Sequence, residues 1–182
     1  YDFVLRGYGK LGYGNDLPFY KNFYAGGFGS VRGYDNSTLG PKYPGVTYNE
    51  SRNEDQDKEE VGGNALVQFG AELALPLPFK GDWTRQVRPV IFAEGAQVFD
   101  TQCSVPSGNL YLNGTPTDPG ISAKQYCEDN FGFDAENFRY SVGVGFTWIT
   151  MIGPLSLSYA YPLNDKPGDE TKNIQFEIGR TF

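Results

Sequence analysis

No histidine occurs among the 182 residues, and the chain has a single methionine, two tryptophans and two cysteines. Without an imidazole, Ser-His-Asp catalysis and the usual zinc sites are excluded, and neither a metal nor a cofactor is expected. Basic residues are outnumbered, 15 Lys and Arg against 22 Asp and Glu, so the chain carries a net charge of −7. Binding to nucleic acid, which needs clustered Lys and Arg, is therefore not expected. No run of about 18 apolar residues exists, which excludes a transmembrane helix. The opening Tyr1-Asp2-Phe3-Val4 has no basic region or cleavage site and already lies in an alternating apolar segment. The natural chain is thus expected to extend further toward its N-terminus.

What the sequence does hold is glycine and aromatic residues: 24 Gly, 13 Tyr and 14 Phe. That composition favours β structure with many turns. From Phe138 to Ile149, apolar Phe138, Tyr140, Val142, Val144, Phe146 and Trp148 alternate with Arg139, Ser141, Gly143, Gly145, Thr147 and Ile149. Ala65 to Leu77 repeats the pattern, with Gln68, Gly70 and Glu72 on the polar face. Such a period of two predicts strands with one greasy and one polar face. Six are predicted, over about 2–14, 62–77, 87–100, 137–149, 154–163 and 172–182, each long enough to cross a bilayer at a tilt. In the third, two apolar sets compete for the outer face. Glu94 is placed inward, because a carboxylate facing lipid costs free energy and one facing a wet lumen does not.

Long connectors (15–61 and 101–136) alternate with short ones, the asymmetry of outer-membrane barrels with extended extracellular loops and tight periplasmic turns. Cys103 and Cys127 both fall in the second long loop, where a disulfide is favoured over a metal site. The expected fold is all-β: a transmembrane antiparallel β-barrel, of which these are six strands. Six strands cannot close a barrel, since the smallest bacterial examples have about eight. The open edges are therefore expected to meet another chain or a detergent shield, or to drive self-association.

The chain ends Ile174-Gln175-Phe176-Glu177-Ile178-Gly179-Arg180-Thr181-Phe182, with alternate apolar residues and a terminal aromatic. This resembles the C-terminal β-signal of outer-membrane proteins, from which Arg180 departs because that position is usually apolar. The first long loop carries Phe19-Tyr20-Lys21-Asn22-Phe23-Tyr24-Ala25-Gly26-Gly27, then Val31-Arg32-Gly33-Tyr34 and Leu39-Gly40-Pro41. Together with Gly62-Gly63-Asn64-Ala65 and Gly153-Pro154-Leu155, these segments resemble the BamA/TamA surface-antigen superfamily of outer-membrane barrels. The resemblance spans the chain apart from 46–61 and 101–136.

The resemblance implies that the six strands are the C-terminal part of a barrel of about 16, in the outer membrane of a Gram-negative bacterium. It implies folding and insertion of other barrel proteins without nucleotide or covalent chemistry, through a seam at the last strand. Ile174, Phe176, Ile178, Gly179 and Phe182 would form the seam strand, with Gly179 weakening its interior. The implied partners are the lipid bilayer, nascent β-barrel proteins and assembly lipoproteins. The lipoproteins would bind mainly through periplasmic domains outside these 182 residues. The Val31–Tyr34 loop would fold into the lumen, where Arg32 pairs with Glu72 and Glu94 on the inner wall. The family strand motif Phe-x-Asp-x-Gly is only partly kept, as Phe92-Ala93-Glu94-Gly95-Ala96, which puts the pairing geometry in question.

Three other readings compete. Glu72 and Glu94 would serve as a hydrolytic acid and nucleophile only without a matching cation, and Arg32 supplies one. A two-partner secretion transporter, or a general channel of the same superfamily, would share strands and signal but pass its substrate through the lumen. A soluble β-sandwich binding module would show the same alternation but bury its greasy faces against a second sheet.

Overall fold

The computed structural model describes residues 3–43, 59–77, 81, 86–103, 109–110, 121–151 and 153–179. Six strands, β1 (Val4–Tyr13), β2 (Ala65–Ala74), β3 (Val87–Phe99), β4 (Arg139–Thr150), β5 (Gly153–Pro162) and β6 (Ile174–Ile178), form one antiparallel sheet in chain order. Every neighbour in the sheet is a neighbour in sequence, so the whole is an up-and-down meander with β1 and β6 as its open edges.

Because side chains alternate and directly paired residues share a face, register fixes two surfaces. On the outer one, Val144, Trp148, Tyr159 and Phe176 are each about half exposed. No second sheet covers this surface among the described residues, so the sandwich reading fails. Glu94 points to the other face, as expected, together with Gln68, Glu72, Ser141, Ser156, Ser158 and Gln175, all buried.

What buries these polar groups is the first long loop, which leaves β1 and folds back over the sheet. Phe23 and Gly63 exchange backbone hydrogen bonds at 2.7 and 3.1 Å, and Ala25 and Leu39 do so at 3.0 and 2.9 Å. Loop residues Ala25, Val31, Tyr34 and Leu39 then pack with Leu66, Ala96 and Val98 in one buried cluster. Each of Val31, Leu39, Leu66 and Val98, once covered, contributes about 1.5–3 kcal/mol. The loop is thereby a second layer on the sheet.

The structure departs from the sequence expectation at two places. The last strand begins at Ile174 rather than at 172. Thr171 and Lys172 pair instead with Tyr34 and Gly33 of the loop, which claims their backbone groups before β6 begins. Gly179 follows at φ +91°, and its N–H donates to Pro154 O at 2.8 Å. Phe182 lies outside the described residues. The second long loop, expected as a connector over 101–136, contains a helix, α1 (Ala123–Asn130). The disulfide between Cys103 and Cys127 ties α1 to the end of β3 with Cα atoms 5.7 Å apart, and Phe131 packs on it. Among the described residues no helix is long and apolar enough to span a bilayer.

Candidate functional site

Two cross-strand rows build the site. One runs Tyr8, Gly70, Glu94, Ser141 across β1 to β4; the next runs Arg6, Glu72, Phe92, Gly143, Ala160 across β1 to β5. Both carboxylates thus stand on the loop-covered face, one residue pair apart along β2 and β3. Small residues follow them. Gly143 leaves space that the Phe92 ring occupies, since a Cβ there would lie 2.4 Å from its Cζ. Beside it, Ala160 lets Gly33 approach; a Cβ on Gly33 would sit 3.2 Å from that of Ala160, and its φ of +96° also favours glycine. The small residues form a trough in which the Val31–Tyr34 segment lies.

Arg32, 1% exposed, is clamped from three sides. Its backbone N–H donates to Glu94 Oε2 at 2.8 Å, while Nε and Nη2 donate to Glu94 Oε1 at 3.0 and 2.6 Å. Nη2 also reaches Glu72 Oε2 at 3.3 Å. The guanidinium lies over the Phe92 ring, 3.4 Å from its centroid, with Phe28 at 6.0 Å on the loop side. A planar, delocalised cation suits both contacts, where a lysine ammonium would serve only as a point charge. Tyr8 Oη joins the clamp by donating to Glu94 Oε1 at 2.9 Å, and Arg6 is the cross-strand partner of Glu72 on β1.

The departure from Phe-x-Asp-x-Gly also has a place. Gly95 points to the outer face, where a Cβ would sit 2.9 Å from both the Phe69 and Tyr140 rings. These rings, with Phe138, cover that glycine in a cluster with centroids 5.8 to 6.1 Å apart.

Beyond the clamp the same segment holds β6 and the turn before it. Gln175 Nε2 donates to the Tyr34 carbonyl at 2.6 Å, and Asp35 N–H donates to Glu170 O at 2.8 Å. Arg139 pairs with Asp169 and donates to the Asn137 carbonyl at 2.8 Å, anchoring the turn before β6 to β4. Tyr34 itself is fully buried, and that burial pushes its phenol from 10.0 up to about 12. Of the expected seam residues, Ile174, Phe176 and Ile178 point outward from β6, away from the loop.

Arg32, Glu72 and Glu94 were singled out from sequence and are in contact. Tyr8, Phe28, Gly143 and Gln175 were not singled out. Only Gly143 carried a signal, as a glycine on the polar face of a strand whose outer face is bulky. Among the described residues no cluster of Cys, Asp or Glu suits a metal.

The chain matches the Omp85 superfamily domain over residues 1–182. It is 39% identical to the outer membrane protein assembly factor BamA of Neisseria meningitidis serogroup B, over 98% of this chain and 20% of that protein. The sorting and assembly machinery component 50 homolog A of Xenopus laevis is 29% identical over 88% of this chain and 28% of its own length. The chain therefore spans a fifth to under a third of these relatives. The crystal structure of BamA from Haemophilus ducreyi lacking POTRA domains 1–3 superposes with a TM-score of 0.70 at 31% identity, covering 96% of this chain and 30% of that one. The chain belongs to the Omp85 superfamily.

Proposed function

We propose that this segment is the C-terminal part of an outer-membrane barrel that folds and inserts other β-barrel proteins in a Gram-negative bacterium. The observation that carries the reading is the buried Arg32 clamp. It fastens a folded-back loop to β2 and β3 of the sheet, and the same loop reaches the terminal strand through Gln175. Relatives named as assembly factors in bacteria and in animals support the same role.

In this reading the chain performs no bond chemistry; the work is mechanical. Among the described residues β6 pairs with β5 from Ile174 to Ile178, and no strand pairs with its other edge. A nascent strand adds to that edge by backbone pairing, which gives affinity without demanding one sequence. The outward Ile174, Phe176 and Ile178 set its greasy face toward the lipid. The loop keeps β6 in register from behind, and lipoprotein partners act through domains beyond this segment.

The test uses the full-length protein in cells depleted of the parent copy. Arg32→Ala is expected to lower the outer-membrane levels of many unrelated barrels. Normal growth with normal barrel levels counts against the bracing role. A stable wide pore in planar bilayers, with other barrels unaffected by depletion, favours a transport channel instead.

A further inference from the structure

Tyr8 stands outside the sequence motif that carries Arg32, yet it enters the clamp. It sits on β1, the strand that leads directly into the loop. Its partner on β2 is Gly70, and the partner of Gly70 on β3 is Glu94. Spanning that row means crossing two strand spacings, roughly 10 Å. A tyrosine reaches across only if the middle residue has no side chain. Gly70 meets that need: a Cβ there would lie 2.5 Å from both Cζ and Oη of Tyr8. The ring therefore lies flat over Gly70, and the hydroxyl ends 2.9 Å from Glu94 Oε1, the oxygen that also receives Nε and Nη2 of Arg32.

We propose that Tyr8, seated over Gly70, is a positioning residue: by donating to Glu94 it orients the carboxylate that holds Arg32, and so couples the stem of the loop to its anchor. The shared acceptor gives the reason. Glu94 is buried and its Oε1 already receives Nε and Nη2 of Arg32; a neutral hydroxyl donating to the same oxygen fixes the carboxylate's rotation without adding charge. The glutamate at this position, one methylene longer than aspartate, brings its oxygens out to where the hydroxyl ends. The inference rests on the bracing reading only for its consequence in assembly; the coupling itself is a property of the fold.

Trypsin provides the readout, because Arg32 is 1% exposed and the chain can be cut after it only when the loop releases. Where reclosing outpaces cleavage, the rate of that cut reports the released fraction. In the full-length protein in detergent micelles, Tyr8→Phe is expected to raise the rate roughly tenfold, the loss of one hydrogen bond to a charged group. In a Glu94→Leu background, which offers the hydroxyl no acceptor, the same change is expected to have no further effect. Gly70→Ala should also raise the rate, but add nothing to Tyr8→Ala, where the ring it displaces is gone. An unchanged rate in Tyr8→Phe, or an equal increase with and without the Glu94 carboxylate, overturns the proposal, since Tyr8 would then only pack. Faster cutting with normal assembly of other barrels upholds the coupling and refutes the bracing role.

Discussion

Removing the cation from the clamp should cost more than its visible hydrogen bonds, because two buried acids stay behind. Glu72 and Glu94 each approach Nη2 of Arg32, so in Arg32→Met their oxygens stand no more than about 6 Å apart without the guanidinium between them. At an effective dielectric constant of about 20 that repulsion is ~3 kcal/mol. It matches the ~3–5 kcal/mol lost when one partner of a buried pair is deleted. At about 1.4 kcal/mol per factor of ten, the released loop should become roughly 100-fold more populated. Chymotrypsin cutting after Tyr34, which has no exposure while the loop is docked, measures this without depending on Arg32. The decisive variant combines Arg32→Met with Glu72→Gln and Glu94→Gln. If uncompensated charge is the cause, neutralising both acids recovers most of the loss, because a buried pair replaced on both sides is often neutral. Cutting as fast in the triple variant as in Arg32→Met alone refutes the electrostatic account and assigns the loss to packing on Phe92.

Two further perturbations read other parts of the molecule. Replacing Cys103 and Cys127 by serine frees a span of 24 residues, a loss of roughly 3 kcal/mol confined to that loop. Amide hydrogen exchange should rise across α1 while β3 and β4 keep their protection; a general loss of protection in the sheet would contradict this. Tyr34 is held neutral in the docked loop, its phenol pushed up to about 12 from 10.0 chiefly by burial. Its contribution is therefore complete below pH 10 and falls away as the pH rises from 10 to about 12, because only the released form readily ionises. The fall in melting temperature between pH 9 and pH 11.5 should be smaller in Tyr34→Phe than in the parent; an equal fall in both overturns the assignment.

The sheet was legible because the physics that shapes it is local. Period-two alternation in Tyr140 to Trp148 survives into the structure: Val142, Val144, Phe146 and Trp148 stay about half exposed on one face, while Ser141 and Thr147 on the other are buried. Strand ends were less legible. Thr171 and Lys172 carry nothing that separates them from β6; their pairing with Gly33 and Tyr34 depends on where a loop over 130 residues earlier comes to lie. The helix α1 has the same origin. Eight residues of Ala-Lys-Gln-Tyr-Cys-Glu-Asp-Asn are too few to be stable alone, and the tether at Cys127 with the packing of Phe131 supplies the order.

The site divides along a similar line. Arg32 and its two acids were reached through the resemblance of the Val31–Tyr34 segment to a family loop motif, and the need of a buried guanidinium for carboxylates made that pairing physically sensible. The small residues that admit the loop were less legible: Gly143 stood out only as a glycine on a strand whose other face is bulky, while Gly70 and Ala160 look like any polar-side filling of a barrel strand. Their meaning comes from register: each faces a ring or a loop backbone. A larger residue in the trough would therefore resemble Arg32→Met in effect while leaving every charge intact. The anchor has two requirements, complementary charge and a channel of missing side chains, and only the first is written in residue chemistry.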